Sequence, residues 1–382
     1  MTDMIESARF GKQLMIGKEC NRGGQGRIRE TNDPCILHKQ FEPGFITDDA
    51  ARQERLQHKM DRAYQAFSQV NKNTTHVELK SLPREYVRLA GKPGYLMEKA
   101  EGQLLWTLLR GNAVAKEERL PLACAVARAF RRLRDAQLAH GDPHPENFFA
   151  LQTPTGWVVP VIDIDGGGLL GPPGPIDPMS QPKRLYKAPE LFSAKWPELR
   201  ARGLFFAPDA WALAVLLYQL LVDYQGPFCS ARVHPNPAVT MYVAYAPYAY
   251  RDSDAVWPQP WQEALLTRAG LPDTLVSYFY AAFQHRFILA KNARPRPSAS
   301  DWETALQSAI TPPLAVPVHT VKAPPPVIKA APPRRRGRAA QARRIVPALQ
   351  ALLTQARRTR LSLARAASIF PQALAGTVGG GV

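Results

Sequence analysis

Acidic residues are missing from the last 72 positions of this 382-residue chain: from Thr311 to Val382 there are twelve Lys or Arg and no Asp or Glu. The formal net charge of +17 therefore divides into +12 on that stretch and +5 on the first 310 residues, a balance unremarkable for an enzyme. The same stretch has a single aromatic residue, Phe370, which argues against a single-strand binder that stacks bases on rings. Cysteine is scarce: Cys20, Cys35, Cys124 and Cys229 are scattered and form no paired metal spacing, so they are expected as reduced packing residues. Long apolar runs are missing too. The longest, Ala210 to Val222, is broken by Tyr218 and Gln219 and is too short to span a bilayer. No apolar leader precedes Thr2 and Asp3, and the expectation is a cytoplasmic protein without a transmembrane segment.

What is present describes a chain with a proper core. Hydrophobic residues make up 45%, and all seven Trp lie in the first 310 positions. The length suits a two-lobed domain of about 300 residues with an appendage. Beyond Thr311 the composition turns to Pro, Ala and Arg. Residues 311–344 read as an extended linker, and 345–382 as a basic tail with a helix from Pro347 to Phe370. Such a tail is either a solubilising extension or a contact for a polyanion, an acidic partner protein or an anionic membrane. Upstream, Leu14 to Phe41 reads as strand, Gly-rich turn and strand. Thr47-Asp48-Asp49 should open a helix running to about Gln69, since it offers a capping oxygen and early acids. Ser81 to Glu98 reads as two short strands around Gly91-Lys92-Pro93-Gly94. After Leu104 helices dominate: Pro121–Gln137, Pro208–Val222, Gln262–Ala269, Pro272–Phe283 and Ser298–Gln307.

The chemistry concentrates in His140-Gly141-Asp142-Pro143-His144-Pro145-Glu146-Asn147, followed sixteen residues later by Asp163 at the end of an apolar run. A carboxylate and a carboxamide five positions apart, with a second carboxylate downstream, suit phosphoryl transfer. That reaction asks for a base on the acceptor and hard oxygen ligands for a metal on the phosphates. Asp142 can supply the first, and Asn147 with Asp163 the second.

These segments resemble the catalytic loop and metal-binding Asp of the eukaryotic-like (Hanks-type) protein kinase superfamily, bacterial subgroup with a C-terminal appendage, over residues 10–310. The resemblance implies an α+β, bilobal protein-kinase-like fold, with a β-rich N-lobe over about 10–100 and an α-helical C-lobe over 101–310. It implies ATP and Mg2+ (Mn2+ possible) as cofactors, and transfer of a γ-phosphoryl group to protein Ser/Thr hydroxyls. Asn21-Arg22-Gly23-Gly24-Gln25-Gly26-Arg27-Ile28 resembles the nucleotide loop, with Gly23 and Gly26 as its second and third glycines and Asn21 in place of the first. Lys39 in Ile36-Leu37-His38-Lys39 would then hold the phosphates, oriented by Glu54 from the following helix. Met97 would be the gatekeeper, and Glu98-Lys99-Ala100 the hinge beside adenine. Lys187-Ala188-Pro189-Glu190, the helix opening at Asp209, and Arg296-Pro297-Ser298-Ala299 resemble the family's substrate platform. There Arg296 would neutralise a buried Glu190, and Asp209 would bind backbone N–H groups of the catalytic loop.

Three departures stand out. Gly141 replaces the Arg that reads loop phosphate, and residues 163–190 contain no Thr, with Ser180 and Tyr186 the chief acceptors, so loop phosphorylation is not expected to activate the protein. His144 replaces the Lys that neutralises the γ-phosphate. Asp165 replaces the Gly after the metal-binding Asp, and either adds charge at the metal or faces solvent. Two rival readings keep the same residues: a small-molecule phosphotransferase of the same superfold, favoured by Gly141 and His144, and a pseudokinase scaffold that binds partners without turnover.

Overall fold

Alternation along Ile36–Phe41 sends Ile36, His38 and Gln40 to one face of a strand and Leu37, Lys39 and Phe41 to the other. That division organises the N-terminal half. The computed structural model describes residues 3–22, 26–180, 182–192, 194–227, 258, 260–284 and 295–311. All lie in one compact unit, Met1–Leu314; the linker and tail expected after Thr311 lie outside the described residues.

Strands β1 (Met4–Ser7), β2 (Lys12–Arg22), β3 (Gly26–Thr31), β4 (Ile36–Phe41), β5 (Glu85–Leu89) and β6 (Lys92–Glu98) form a six-stranded antiparallel sheet in the order β1-β2-β3-β4-β6-β5. The region Leu14–Phe41 thus holds three strands rather than two. The β5–β6 hairpin turns at Ala90 and Gly91, both at positive φ, instead of at Pro93 and Gly94. A two-residue turn of that handedness matches strand twist. Pro93 stays inside β6 because the pairing with β4 stops at Gly94. One sheet face buries Ile5, Leu14, Ile16, Ile36, Val87 and Leu96. The other packs Phe41, Tyr95 and Met97 against Met60 and Tyr64 of helix α1 (Ala50–Asn71). Asp49 caps α1 by accepting the Arg52 N–H at 3.1 Å, as its sequence predicts.

From Gln103 onward helices predominate: α2 (Leu105–Arg110), α3 (Arg119–Asp135), α4 (Trp196–Ala201), α5 (Ala207–Leu221), α6 (Pro260–Ala269), α7 (Asp273–Gln284) and α8 (Ala299–Ile310). Five short strands join them: β7 (Gln103–Leu104), β8 (Leu138–Ala139), β9 (Phe149–Thr153), β10 (Gly156–Val158) and β11 (Gly168–Leu169). Short α2 and these strands carry too few residues to show a period in the sequence. Helix α5 is buried almost all round, which explains its continuous apolar composition. Around it Tyr218, Phe279 and Trp302 pack as ring pairs 5.5 and 4.9 Å apart. Ser298 and Asp301 close α8 with a reciprocal capping box. The chain is therefore mixed α and β, with the sheet N-terminal. No described helix is long and apolar enough to cross a membrane.

Candidate active site

Between β8 and β9 the chain runs through residues 140–148, and three backbone ties fix it. The N–H groups of His140 and Gly141 donate to the Asp209 carboxylate at the start of α5, at 2.7 and 3.2 Å. Burial pushes the Asp209 carboxyl up to about 6. The Asn147 side-chain amide donates to the Asp142 carbonyl at 3.0 Å. Ile162 N–H in turn donates to the Asn147 carbonyl at 3.0 Å, which joins this loop to the segment carrying Asp163. Asp142, Asn147 and Asp163 are brought together in this way. Asp163 itself sits at φ +58°, a left-handed conformation unusual for a side-chain-bearing residue.

Gly141 has a physical reason that the sequence did not disclose. Its φ is +79°, and a Cβ there would lie 3.0 Å from the Pro178 Cβ and 3.1 Å from the Gly166 carbonyl oxygen. An Arg has no room, because the segment after Asp163 packs over this point.

Gly166, Met179, Ser180 and Lys183 bring the following segment over the loop. The Gly166 carbonyl accepts from the N–H groups of Met179 and Ser180 and from the Ser180 hydroxyl, at 2.8, 3.0 and 2.8 Å. Tyr186 is buried and its hydroxyl donates to Gln219 at 2.9 Å. Glu190 and Arg296 form the expected pair, bidentate at 2.6 and 2.9 Å and fully enclosed. The Lys183 N–H donates to Oδ1 of Asp142 at 2.9 Å. Burial raises the pKa of Asp142 above the usual carboxylate range, against the pull of that bond.

His144, which stands where the resemblance would have a Lys, supplies no cation. Its Nδ1 accepts the Glu146 N–H at 3.3 Å, which places the ring proton on Nε2, 3.7 Å from Asp142 Oδ2. Burial, with Lys183 adding to it, pulls its pKa down to about 4, so the ring is neutral at pH 7. The nearby cation is Lys183, half-exposed and ion-paired with Glu146. Nothing in the sequence marked Lys183, since its placement depends on how the segment folds back.

Lys39 supplies the main correction. It extends from β4 on the α1 face, 6% exposed, with its ammonium 2.7 Å from Asp163 Oδ1 and 2.6 Å from Asp165 Oδ2. Burial opposes the ammonium, but the two carboxylates outweigh it and raise its pKa. Glu54 takes no part. Its side chain is 76% exposed and faces His58 one turn on, at 3.9 Å. The inward stripe of α1 includes Gln53, Leu56, Met60 and Tyr64, and two residues of helix are about 200° of rotation, so Leu56 and Glu54 face nearly opposite ways. Gln53, the inward residue at that level, carries no charge and donates to the Thr47 carbonyl at 2.7 Å. Asp165 is the other reversal: at 1% exposure it faces neither solvent nor an open site.

Of the nucleotide-loop candidates, Gly23 and Gly24 lie outside the described residues. Ile28 pairs with Lys39 and sits beside the lysine strand, and Asn21 pairs with Ile28 one strand further out. A Cβ on Gly26 would lie 2.3 Å from the Gln40 carbonyl oxygen, so close strand approach alone demands a glycine there. Met97 is buried beside Tyr95. Glu98 pairs with Ile36 and faces Lys80 and Arg84 at 3.5 and 3.7 Å. Ala100 follows, part-buried, just after β6.

Among the described residues no group of three or more His, Cys, Asp or Glu side chains could enclose a metal. Asp163 and Asn147 offer oxygen donors, which fits a magnesium ion completed by phosphate and water better than an all-protein cage. No family model matches the chain, and a search of curated proteins finds no match.

Proposed function

We propose that this chain is an ATP-dependent protein kinase of the eukaryotic-like type, with a small strand-rich lobe and a larger helical one. It would transfer the γ-phosphoryl group to a protein Ser or Thr hydroxyl. One observation carries the reading: Asp142, Asn147 and Asp163 are tied together by the Asn147–Asp142 and Ile162–Asn147 hydrogen bonds, with Lys39 in contact with Asp163. In it, Asp142 takes the acceptor proton, helped by a pKa held above the usual range. Asp163 and Asn147 would hold the magnesium ion, which screens phosphate charge when bound. Lys39 orients the phosphates. The same chemistry on a small alcohol keeps these residues. What favours a peptide acceptor is the anchoring of the 183–190 segment beside Asp142, through Lys183 and the Glu190–Arg296 pair.

The test is radiolabel transfer from ATP with magnesium to the protein itself, to a generic protein and to small alcohols. Label is expected on protein, with Asp142→Asn reducing the rate about a hundred- to ten-thousand-fold while ATP still binds. Label on small alcohols alone would move the assignment to a small-molecule phosphotransferase. ATP binding without transfer to any acceptor would leave the scaffold reading.

A further inference from the structure

In the reading above the lysine that holds phosphate needs an anion to fix its ammonium, and α1 brings none to it: Glu54 is exposed, and Asp61 accepts the Tyr86 hydroxyl at 2.5 Å. We infer that Asp165 is the positioning residue for Lys39, taking the place of a helix acid. On this view the phosphate-orienting lysine is set by strand β4 and the 163–166 segment, without a carboxylate from α1. The inference rests on the proposed phosphotransferase reading only for what Lys39 does, not for what holds it.

Four observations carry it. The two oxygens of Asp165 divide between two partners: Oδ2 contacts the Lys39 ammonium at 2.6 Å, and Oδ1 accepts the Tyr95 hydroxyl at 2.8 Å. Tyr95 is the cross-strand neighbour of Lys39 in the β4–β6 register, so one strand pair presents both groups to one carboxylate. Tyr64 of α1 packs edge-on against the Tyr95 ring at 4.8 Å with its hydroxyl towards Asp165, so α1 contributes an uncharged phenol instead of a carboxylate. On the far side, the Gly166 carbonyl is held by Met179 and Ser180, and a Cβ on Gly166 would lie 2.2 Å from the Ser180 hydroxyl oxygen. The main chain next to Asp165 is thereby pinned. A carboxylate this deeply buried is costly unless paired, and Lys39 with Tyr95 supplies the pairing. Asp163 differs: its side chain is 49% exposed and stands at the edge of the site. A cation bound there would compete with Lys39 for Asp163 and leave Asp165 as the lysine's constant partner.

The full-length chain serves for the test, as wild type, Asp165→Asn, Asp165→Glu, Tyr95→Phe and Glu54→Gln. Trace acylation with acetic anhydride, read by mass spectrometry at Lys39, needs no nucleotide. Binding of ATP against adenosine, with KM and kcat, gives the second readout. Asp165→Asn is expected to expose Lys39 to acylation about tenfold or more. It should lower kcat/KM for ATP up to about 100-fold with adenosine binding unchanged, because a misplacement of about 1 Å costs that much in rate. Asp165→Glu should recover part of the loss, Tyr95→Phe should move both readouts less and in the same direction, and Glu54→Gln should match wild type. If Asp165→Asn does not fold, Tyr95→Phe decides. Unchanged Lys39 reactivity in the folded Asp165 or Tyr95 variants, or a Glu54→Gln loss as large as that of Asp165→Asn, would overturn the inference. A wild type that binds no ATP would sink the kinase reading instead, while the acylation pattern would still judge Asp165.

Discussion

Two buried ion clusters bracket residues 163–190, and they are built on opposite principles. At the far end Glu190 meets Arg296 one to one, both oxygens to both terminal nitrogens. The guanidinium also donates to the carbonyls of Ala282 and Ala207 and lies 5.0 Å from the Trp211 ring centre. Charge is balanced and the donors are occupied, which is how a buried pair serves as a fixed anchor. At the near end Lys39 meets two carboxyl groups, a formal excess of one acid over base, with Asp165 pushed up by burial and Asp163 half open and backbone-strained. An unbalanced, partly open cluster is poor as an anchor and good at receiving a cation. The difference separates a contact that holds the fold from one reserved for chemistry.

Substitutions at the two ends should therefore fail in different ways. Asp163→Asn removes the excess acid. Phosphoryl transfer is expected to fall about a thousandfold or more with weakened magnesium-dependent nucleotide binding, while thermal stability stays within about 1 kcal/mol. Loss of stability in step with activity would erase the distinction. Arg296→Ala should do the reverse, stranding a buried Glu190 at a cost of about 3–5 kcal/mol. A melting curve reads that directly, and an unchanged midpoint would show the pair to be dispensable.

Acid sharpens the comparison at the near end, where His140 and His144 flank Asp142. These two and His38 are held down to about 4 from 6.5, chiefly by burial. An unfolded chain takes up three protons below pH 6.5 that the folded chain refuses until about 4. Asp209, raised to about 6, opposes this by one proton. The three imidazoles outnumber it, so stability should fall as pH drops from 6.5 towards 4, by at most about 2–3 kcal/mol per unit, since burial also raises Asp142 and Asp165. Melting curves at pH 7 and pH 5 check the sign. The smallest effect is expected between the two clusters. Ser180 and Tyr186 spend their hydroxyls on Gly166 and Gln219, so Ser180→Ala with Tyr186→Phe, or phosphatase treatment, should leave most of the transfer rate. A large loss in either preparation would make this segment a phosphate switch.

The misreadings of the sequence share one cause. Glu54 lies mid-helix near the inward-spaced Leu56 and Met60, but pairing depends on rotation about α1, where each residue turns a side chain by about 100°. Asp165 looked ambiguous because its burial is set by Ser180 and Tyr95, which are remote in sequence. The charge of His144 is equally hidden, because a sequence carries no record of desolvation. The helix starts at Asp49 and Ser298 were legible, since a cap is made by side chains acting on their own next turn.

By itself the sequence determined the succession of a strand-rich half and a helical half and most helix limits, while the contacts of Asp209 and Glu190 followed only from the family resemblance. Local backbone preference and hydrophobic period act over a few residues and survive in the linear record. Only the tertiary structure decided which carboxylate holds Lys39, that His144 is neutral, that Gly141 must be bare, and that Lys183 reaches Asp142. Each depends on how deeply one segment is covered by another, and burial changes both the reach of a side chain and the free energy of its charge.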